Sequence, residues 1–180
     1  MPTPGHTFWL CGLSGAGKST LADALIATLR TRGIPVLALD GDALRNGVCS
    51  GLGFSAADRA ENLRRAAGIA RLAADSGLCT VASFITPLQA NRQQVGEILG
   101  QNGWSLVFVD APLAVCQQRD VKGLYARAGQ GNVSHMTGLT SPFEPPATAD
   151  LVIRTAEESP AASSGRLLAF ALTRLQAASA

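Results

Sequence analysis

Gly12-Leu13-Ser14-Gly15-Ala16-Gly17-Lys18-Ser19-Thr20 is the stretch that decides the fold of this chain. It fits G-x-x-x-x-G-K-[ST], a loop whose backbone N–H groups surround the β- and γ-phosphates of a nucleotide while the following helix turns its positive end toward them. In that pattern Lys18 carries a point charge to the β/γ oxygens and the Ser19 hydroxyl completes a Mg²⁺ shell. Glycines alone would make only a tight turn, and a turn does not require Lys-Ser at that offset. The flanks agree. Residues 8–12 form a short apolar run of strand type, and residues 18–30 repeat apolar side chains at helical spacing through Leu21, Leu25 and Leu29.

Working outward, residues 34–39 repeat the strand signal and deliver Asp40-Gly41-Asp42 at the C-terminal end, where open α/β sheets place their ligands. Two acids at that spacing can bracket a metal and an acceptor hydroxyl, one through the water shell and the other as proton acceptor. The alternative is that one of them caps a turn or pairs with Arg45. Ser55 to Asp58 has capping-box spacing and opens a long helix whose stripe includes Leu63, Ala67, Ala70 and Ala74, stopped by Gly77. A third strand follows at 78–84. Thr86, Pro87 and Gln89 then read as N-cap, first helical residue and capping-box partner of the next helix.

A fourth strand is expected at 104–110 and a short helix from Pro112, followed by a mobile lid over about 120–146, where glycine and proline are frequent. A last strand at 151–153, a closing helix around 166–175 and a frayed tail from Ala177 complete the reading. The alternation predicts one α/β domain over residues 1–180. Its fold class is the three-layer P-loop NTPase fold, a mostly parallel sheet with helices on both faces.

Bulk properties narrow the function. A chain of 180 residues that is 47% hydrophobic buries one full core. A net charge of +2 is too small for a nucleic-acid groove or a polybasic membrane patch and favours small anions. The four cysteines form neither a C-x-x-C pair nor a cluster with His6 and His135, so they read as reduced thiols. Neither a signal-type start nor an apolar span of membrane length occurs, which makes a cytoplasmic address the expectation. Thirteen arginines stand against only two lysines, Lys18 and Lys122. Both lysines are therefore candidates for a role that needs a compact ammonium, the alternative for Lys122 being a plain surface residue. The guanine-reading N-K-x-D segment is absent from the sequence.

Several further segments, in order, resemble the adenylylsulfate kinases: Leu39-Asp-Gly-Asp42 with Arg45, Leu52-Gly-Phe-Ser-Ala-Ala-Asp58-Arg59, Glu61-Asn62-Leu-Arg-Arg65, Phe84-Ile85-Thr86-Pro87, Arg119-Asp-Val-Lys122-Gly-Leu-Tyr125, Thr137-Gly138 and Ser141-Pro-Phe143-Glu-Pro-Pro146. The resemblance implies a kinase that uses ATP and Mg²⁺ to phosphorylate the 3′-hydroxyl of adenosine 5′-phosphosulfate in sulfate assimilation. It implies Lys18, Asp40, Asp42 and Thr86 as the catalytic set and the loop from Gly12 to Thr20 as the ATP site. Arg45, Arg59, Asn62, Ile85, Thr86 and Lys122 would hold the acceptor, with Phe54 and Phe143 sandwiching its adenine. It leaves room for a homodimer and for a sulfurylase partner.

The sequence departs from that pattern at Thr86, where a serine is usual, and at Gly129 and Thr140, where an arginine and an aspartate are common. For Thr86 the expectation is helix capping and substrate positioning rather than a covalent role. A kinase of the same scaffold acting on another nucleotide-like metabolite, and a non-catalytic nucleotide-binding module, are the two competing readings.

Overall fold

The computed structural model describes residues 5–129 and 136–178. Part of the expected lid, residues 130–135, and the end of the expected frayed tail, residues 179–180, lie outside them.

Five parallel strands, β1 (Thr7–Cys11), β2 (Val36–Asp40), β3 (Cys79–Ser83), β4 (Trp104–Asp110) and β5 (Leu151–Arg154), form one sheet in the order β2-β3-β1-β4-β5. Every residue of β1 is buried, as expected for a central parallel strand covered on both faces. Its side chains alternate between two cores. Phe8 and Leu10 face α1 (Lys18–Thr31) and α7 (Pro160–Ala178), where Leu21, Leu25, Leu29, Leu167 and Ala171 pack. Trp9 and Cys11 face α3 (Ala56–Asp75) and α4 (Gln89–Leu99). The second core combines bulk with small residues: Ala66, Ala67 and Ala70 bring α3 close to the sheet, and the Trp9 and Phe84 rings fill the remaining space. Gly96 has the same use on α4, since a Cβ there would stand 2.9 Å from the Trp104 ring.

The three-layer expectation therefore holds. So do the cap of α3, where the Ser55 hydroxyl accepts from the Asp58 N–H, and its end at Asp75, just before Gly77 at φ +80°. Three differences have physical reasons. First, β2 is followed by a short helix α2 (Gly41–Arg45) that sequence periodicity could not show in five residues; the Asp40 carboxylate caps it by accepting from the Asp42 and Ala43 N–H groups. Second, the expected Thr86 cap is corrected. Thr86 lies at φ +44°, two residues before the Leu88 that precedes α4, and its hydroxyl accepts from the Trp9 indole instead. The first N–H of α4, on Gln89, donates to Glu144 Oε2 at 2.6 Å, a partner 55 residues away that no local pattern announces. Third, the region after α5 (Leu113–Arg119) carries a helix of its own, α6 (Leu124–Gly129), started by Asp120, which accepts from the Tyr125 and Ala126 N–H groups.

Candidate active site

The loop between β1 and α1 lines a cavity of about 420 Å³, of the size of small-molecule sites. Sheet order divides that cavity. Because β1 is central, the segments after β2 and β3 flank the loop on one side and those after β4 and β5 on the other. Asp40, Asp42, Arg45, Phe54, Arg59, Asn62, Ile85 and Thr86 come from the first side, and Arg119, Lys122, Thr155 and Glu158 from the second.

The loop is built for close approach. A Cβ on Gly12 would fall 2.3 Å from the Val109 carbonyl oxygen, so only glycine passes there. Gly12 N–H donates to the Ile85 carbonyl at 3.3 Å, tying the loop to the end of β3. Three groups grip it from the β4–β5 side. Tyr125 Oη donates to the Ser14 carbonyl at 2.9 Å, Thr155 Oγ1 to the Ala16 carbonyl at 2.7 Å, and Arg119 bridges Gly15 O and Thr155 Oγ1 at 3.3 and 3.0 Å. With carbonyls turned outward to these donors, the loop is held from outside. Ser19 and Thr20 follow in the first turn of α1, which has no acidic residue there to compete for an anion.

Lys18 is buried at 8% exposure and donates from Nζ to the Leu13 carbonyl at 2.8 Å. Burial pushes its pKa down to about 8, and the Lys122 charge adds to the shift. Among the described residues Lys18 makes no ion pair, and a nucleotide phosphate entering the loop would add a close counter-charge to that of the Asp40 carboxylate.

On the acceptor side the two acids separate in geometry. Asp40 is committed by Oδ1 to the α2 cap, whereas Asp42 presents an exposed carboxylate to the cavity and takes a 2.5 Å ion pair from Lys122. Arg45 pairs with neither. It donates to the Leu52 and Gly53 carbonyls and lies 4.5 Å above the Phe54 ring. Arg59 approaches the same ring at 5.9 Å and donates to Phe54 O and Thr137 Oγ1. Two guanidiniums beside one exposed ring make an anion-plus-aromatic surface, and burial first and then the Arg45 charge lower the Arg59 pKa. Asn62, one turn along α3, is 4% exposed and its Oδ1 finds no hydrogen-bond donor among the described residues.

Phe143 is a predicted site residue that the structure does not bring to the cavity. It stacks on Phe108 with ring centroids 6.2 Å apart, in contact with both cores, and it lies outside the cavity. The expected sandwich of Phe54 and Phe143 is thus not formed in this arrangement. Conversely, Arg119 and Tyr125 were legible only as parts of the quoted Arg119-to-Tyr125 motif, without roles. Thr155 carried no signal, because a lone threonine after a strand has no pattern.

A family model described as adenylylsulphate kinase matches residues 4–154. The adenylyl-sulfate kinase of Paraburkholderia xenovorans (strain LB400) is 48% identical over 169 residues, covering 94% of this chain and 94% of its own length. Among solved structures, the Mycobacterium tuberculosis APS kinase in complex with AMPPNP and APS superposes with a TM-score of 0.88 at 41% identity, over 94% of this chain and 98% of that one. A hexameric APS kinase from Thiobacillus denitrificans, of which 29% is covered against 93% of this chain, gives 0.70 at 29% identity.

Proposed function

The chain belongs to the adenylylsulphate kinase family, and from that membership we propose that it transfers the γ-phosphate of ATP to the 3′-hydroxyl of adenosine 5′-phosphosulfate, releasing ADP. The observation that carries the reading is the division of one cavity by the phosphate loop: a nucleotide held on Gly12 to Thr20 has the arginine-flanked Phe54 ring on the β2–β3 side and the Arg119–Thr155 wall on the β4–β5 side. The relative solved in complex with AMPPNP and APS has this fold at 41% identity.

The residues fit a Mg²⁺ that arrives with the nucleotide. Ser19 and Asp40 offer oxygen donors to a hard cation, and among the described residues no three His, Cys, Asp or Glu side chains gather to hold a metal unaided. Once bound, the ion neutralises phosphate charge.

Each side chain then has a task. Loop amides and Lys18 hold the β- and γ-phosphates, Arg45 and Arg59 hold phosphosulfate oxygens, and Asn62 Oδ1 accepts from an acceptor hydroxyl or amine. Phe54 offers one face to the adenine; Phe143 reaches that base only by leaving Phe108. Asp42, which has an exposed carboxylate, accepts the proton of the attacking 3′-hydroxyl as the P–O bond to that oxygen forms and the bond from the γ-phosphorus to the β–γ bridging oxygen breaks, with ADP leaving. Ile85 and Thr86 line the same side. Phosphoryl transfer needs alignment and charge stabilisation more than covalent chemistry, so a positioning role is enough for Thr86 and the reaction requires no phosphorylated intermediate there.

We assign a cytoplasmic site of action, consistent with four free buried cysteines and with no described helix long and apolar enough to cross a membrane. Association of copies is supported by the hexameric relative, and a sulfurylase is proposed as the partner that supplies the acceptor. The deciding experiment is a coupled ADP-release assay across an acceptor panel. Turnover with adenosine 5′-phosphosulfate well above that with other nucleotides supports the reading, and clear turnover of another acceptor alone rejects it.

A further inference from the structure

Trp9 belongs to the core strand before the phosphate loop, and it is completely buried. Its ring stacks on Phe84, with centroids 4.9 Å apart and planes at 18°, and its indole Nε1–H donates to Thr86 Oγ1 at 2.8 Å. Burial of an aromatic core residue explains the ring but not the direction of its hydrogen bond. An indole N–H can only donate. The Thr86 oxygen must therefore accept, and the hydroxyl's own hydrogen must point elsewhere. Thr86 is 1% exposed, borders the cavity on its acceptor side, and has no acceptor for that hydrogen among the described residues.

The backbone around this hydroxyl is fixed as well. Thr86 is held at φ +44°, costly for a β-branched residue and maintained only where neighbours over-determine it. The neighbours are Arg92, which donates from Nη1 to the Thr86 carbonyl at 2.9 Å, and the Gly12 N–H on the Ile85 carbonyl. Three elements thus converge on one turn, and they leave the Thr86 hydroxyl hydrogen without an acceptor among the described residues, on a residue that lines the cavity together with Arg45 and Arg59.

We propose that Trp9 is a positioning residue for the acceptor: by donating to one of the two lone pairs of Thr86 Oγ1, it turns the Thr86 O–H away from the indole and presents it as a donor to an anionic oxygen of the phosphosulfate. Trp9 never touches substrate and acts through Thr86 alone. This rests on the kinase reading above, and its failure is separable from that of the reading.

The test compares Trp9→Phe, which keeps a ring on Phe84 but removes the N–H, with Thr86→Val, Thr86→Ser and the Trp9→Phe/Thr86→Val double variant in the full chain. Losing a hydrogen bond to a charged oxygen should raise the KM for adenosine 5′-phosphosulfate roughly ten- to a hundredfold in Thr86→Val, with the KM for ATP changed by less than about twofold. Trp9→Phe should move the same parameter in the same direction, Thr86→Ser should recover most of the acceptor KM lost in Thr86→Val, and the double variant should be no worse than Thr86→Val. Additive effects in the double variant, or an unchanged acceptor KM in a folded Trp9→Phe protein, would overturn the proposal. If Trp9→Phe does not fold, an acceptor KM in Thr86→Val equal to wild type overturns it by itself. Wild-type protein inert toward adenosine 5′-phosphosulfate would instead remove the kinase reading, and the proposal with it.

Discussion

Lys122 Nζ lies 2.5 Å from Asp42 Oδ2, joining the segment after α5 to the first turn of α2 across the cavity. Both partners are about half exposed or more, so the pair contributes at most about 1 kcal/mol to folding. Its importance is local, because it sets the one lysine outside the phosphate loop against the acid best placed to receive a proton. Lys122→Ala should therefore leave the melting temperature nearly unchanged while raising the acceptor KM, whereas Asp42→Asn should lower kcat by roughly 10²- to 10⁴-fold. Thermal melts beside steady-state kinetics check both. A large loss of stability in Lys122→Ala would show that the pair is structural.

Lys18 gives a pH prediction with a definite sign. Its folded pKa is lowered to about 8 by burial, so in the free protein the ammonium is lost as pH rises through that value. The kcat/KM for ATP, which reports the free enzyme, should fall above about pH 8. Bound phosphates favour the charged form, so kcat at saturating ATP should hold to higher pH. Stability moves the other way: the unfolded chain binds more protons between the lowered value and the ordinary lysine range, so Lys18 adds stability as pH rises through that window. A kcat/KM profile flat up to pH 10 would contradict this assignment.

The two phenylalanines should fail in different ways. Phe54 is 56% exposed between two guanidiniums, so Phe54→Ala should raise the acceptor KM by the equivalent of ~1–3 kcal/mol of stacking and leave the fold intact. Phe143 packs on Phe108 and is only half-buried, so Phe143→Ala should cost about 2 kcal/mol, below the range for a fully buried ring. Denaturant titration gives the second number, and wild-type stability in Phe143→Ala would contradict the packing argument.

Glu144 offers a test of the distant cap. Its carboxylate receives the Gln89 N–H and its own N–H donates to the Pro87 carbonyl at 2.8 Å, so it secures both the start of α4 and the turn after Thr86. Glu144→Ala should cost ~1 kcal/mol, as loss of a helix cap does. Hydrogen exchange should show the loosening at Gln89 before the middle of α4; uniform exchange along the helix would contradict it.

The fold was almost wholly legible in the sequence because its signals are local. The phosphate loop, the apolar runs of the strands and the Ser55 cap each rest on neighbours within a few residues. What escaped depends on distance. The hydroxyl of Thr86 has the local look of a cap, and Trp9, 77 positions away, claims it; Glu144 takes the vacated duty from 55 away. The acids of Asp40-Gly41-Asp42 could not be told apart until α2 appeared, since the role of a cap follows from which amides stand above it. Phe143 was placed by resemblance alone, and the packing of Phe108 put it elsewhere.

The loop from Gly12 to Ser19 is proposed to grip a nucleoside triphosphate and direct its terminal phosphate to a neighbouring ribose. The most direct test measures ADP release and the 3′-phosphorylated product together, in wild type and in Lys18→Ala, with adenosine 5′-phosphosulfate present and absent. The expected result is one ADP per product in the wild type, dependence of both on the acceptor, and loss of both in Lys18→Ala. Undiminished transfer by Lys18→Ala, or ADP release indifferent to the acceptor, would contradict it.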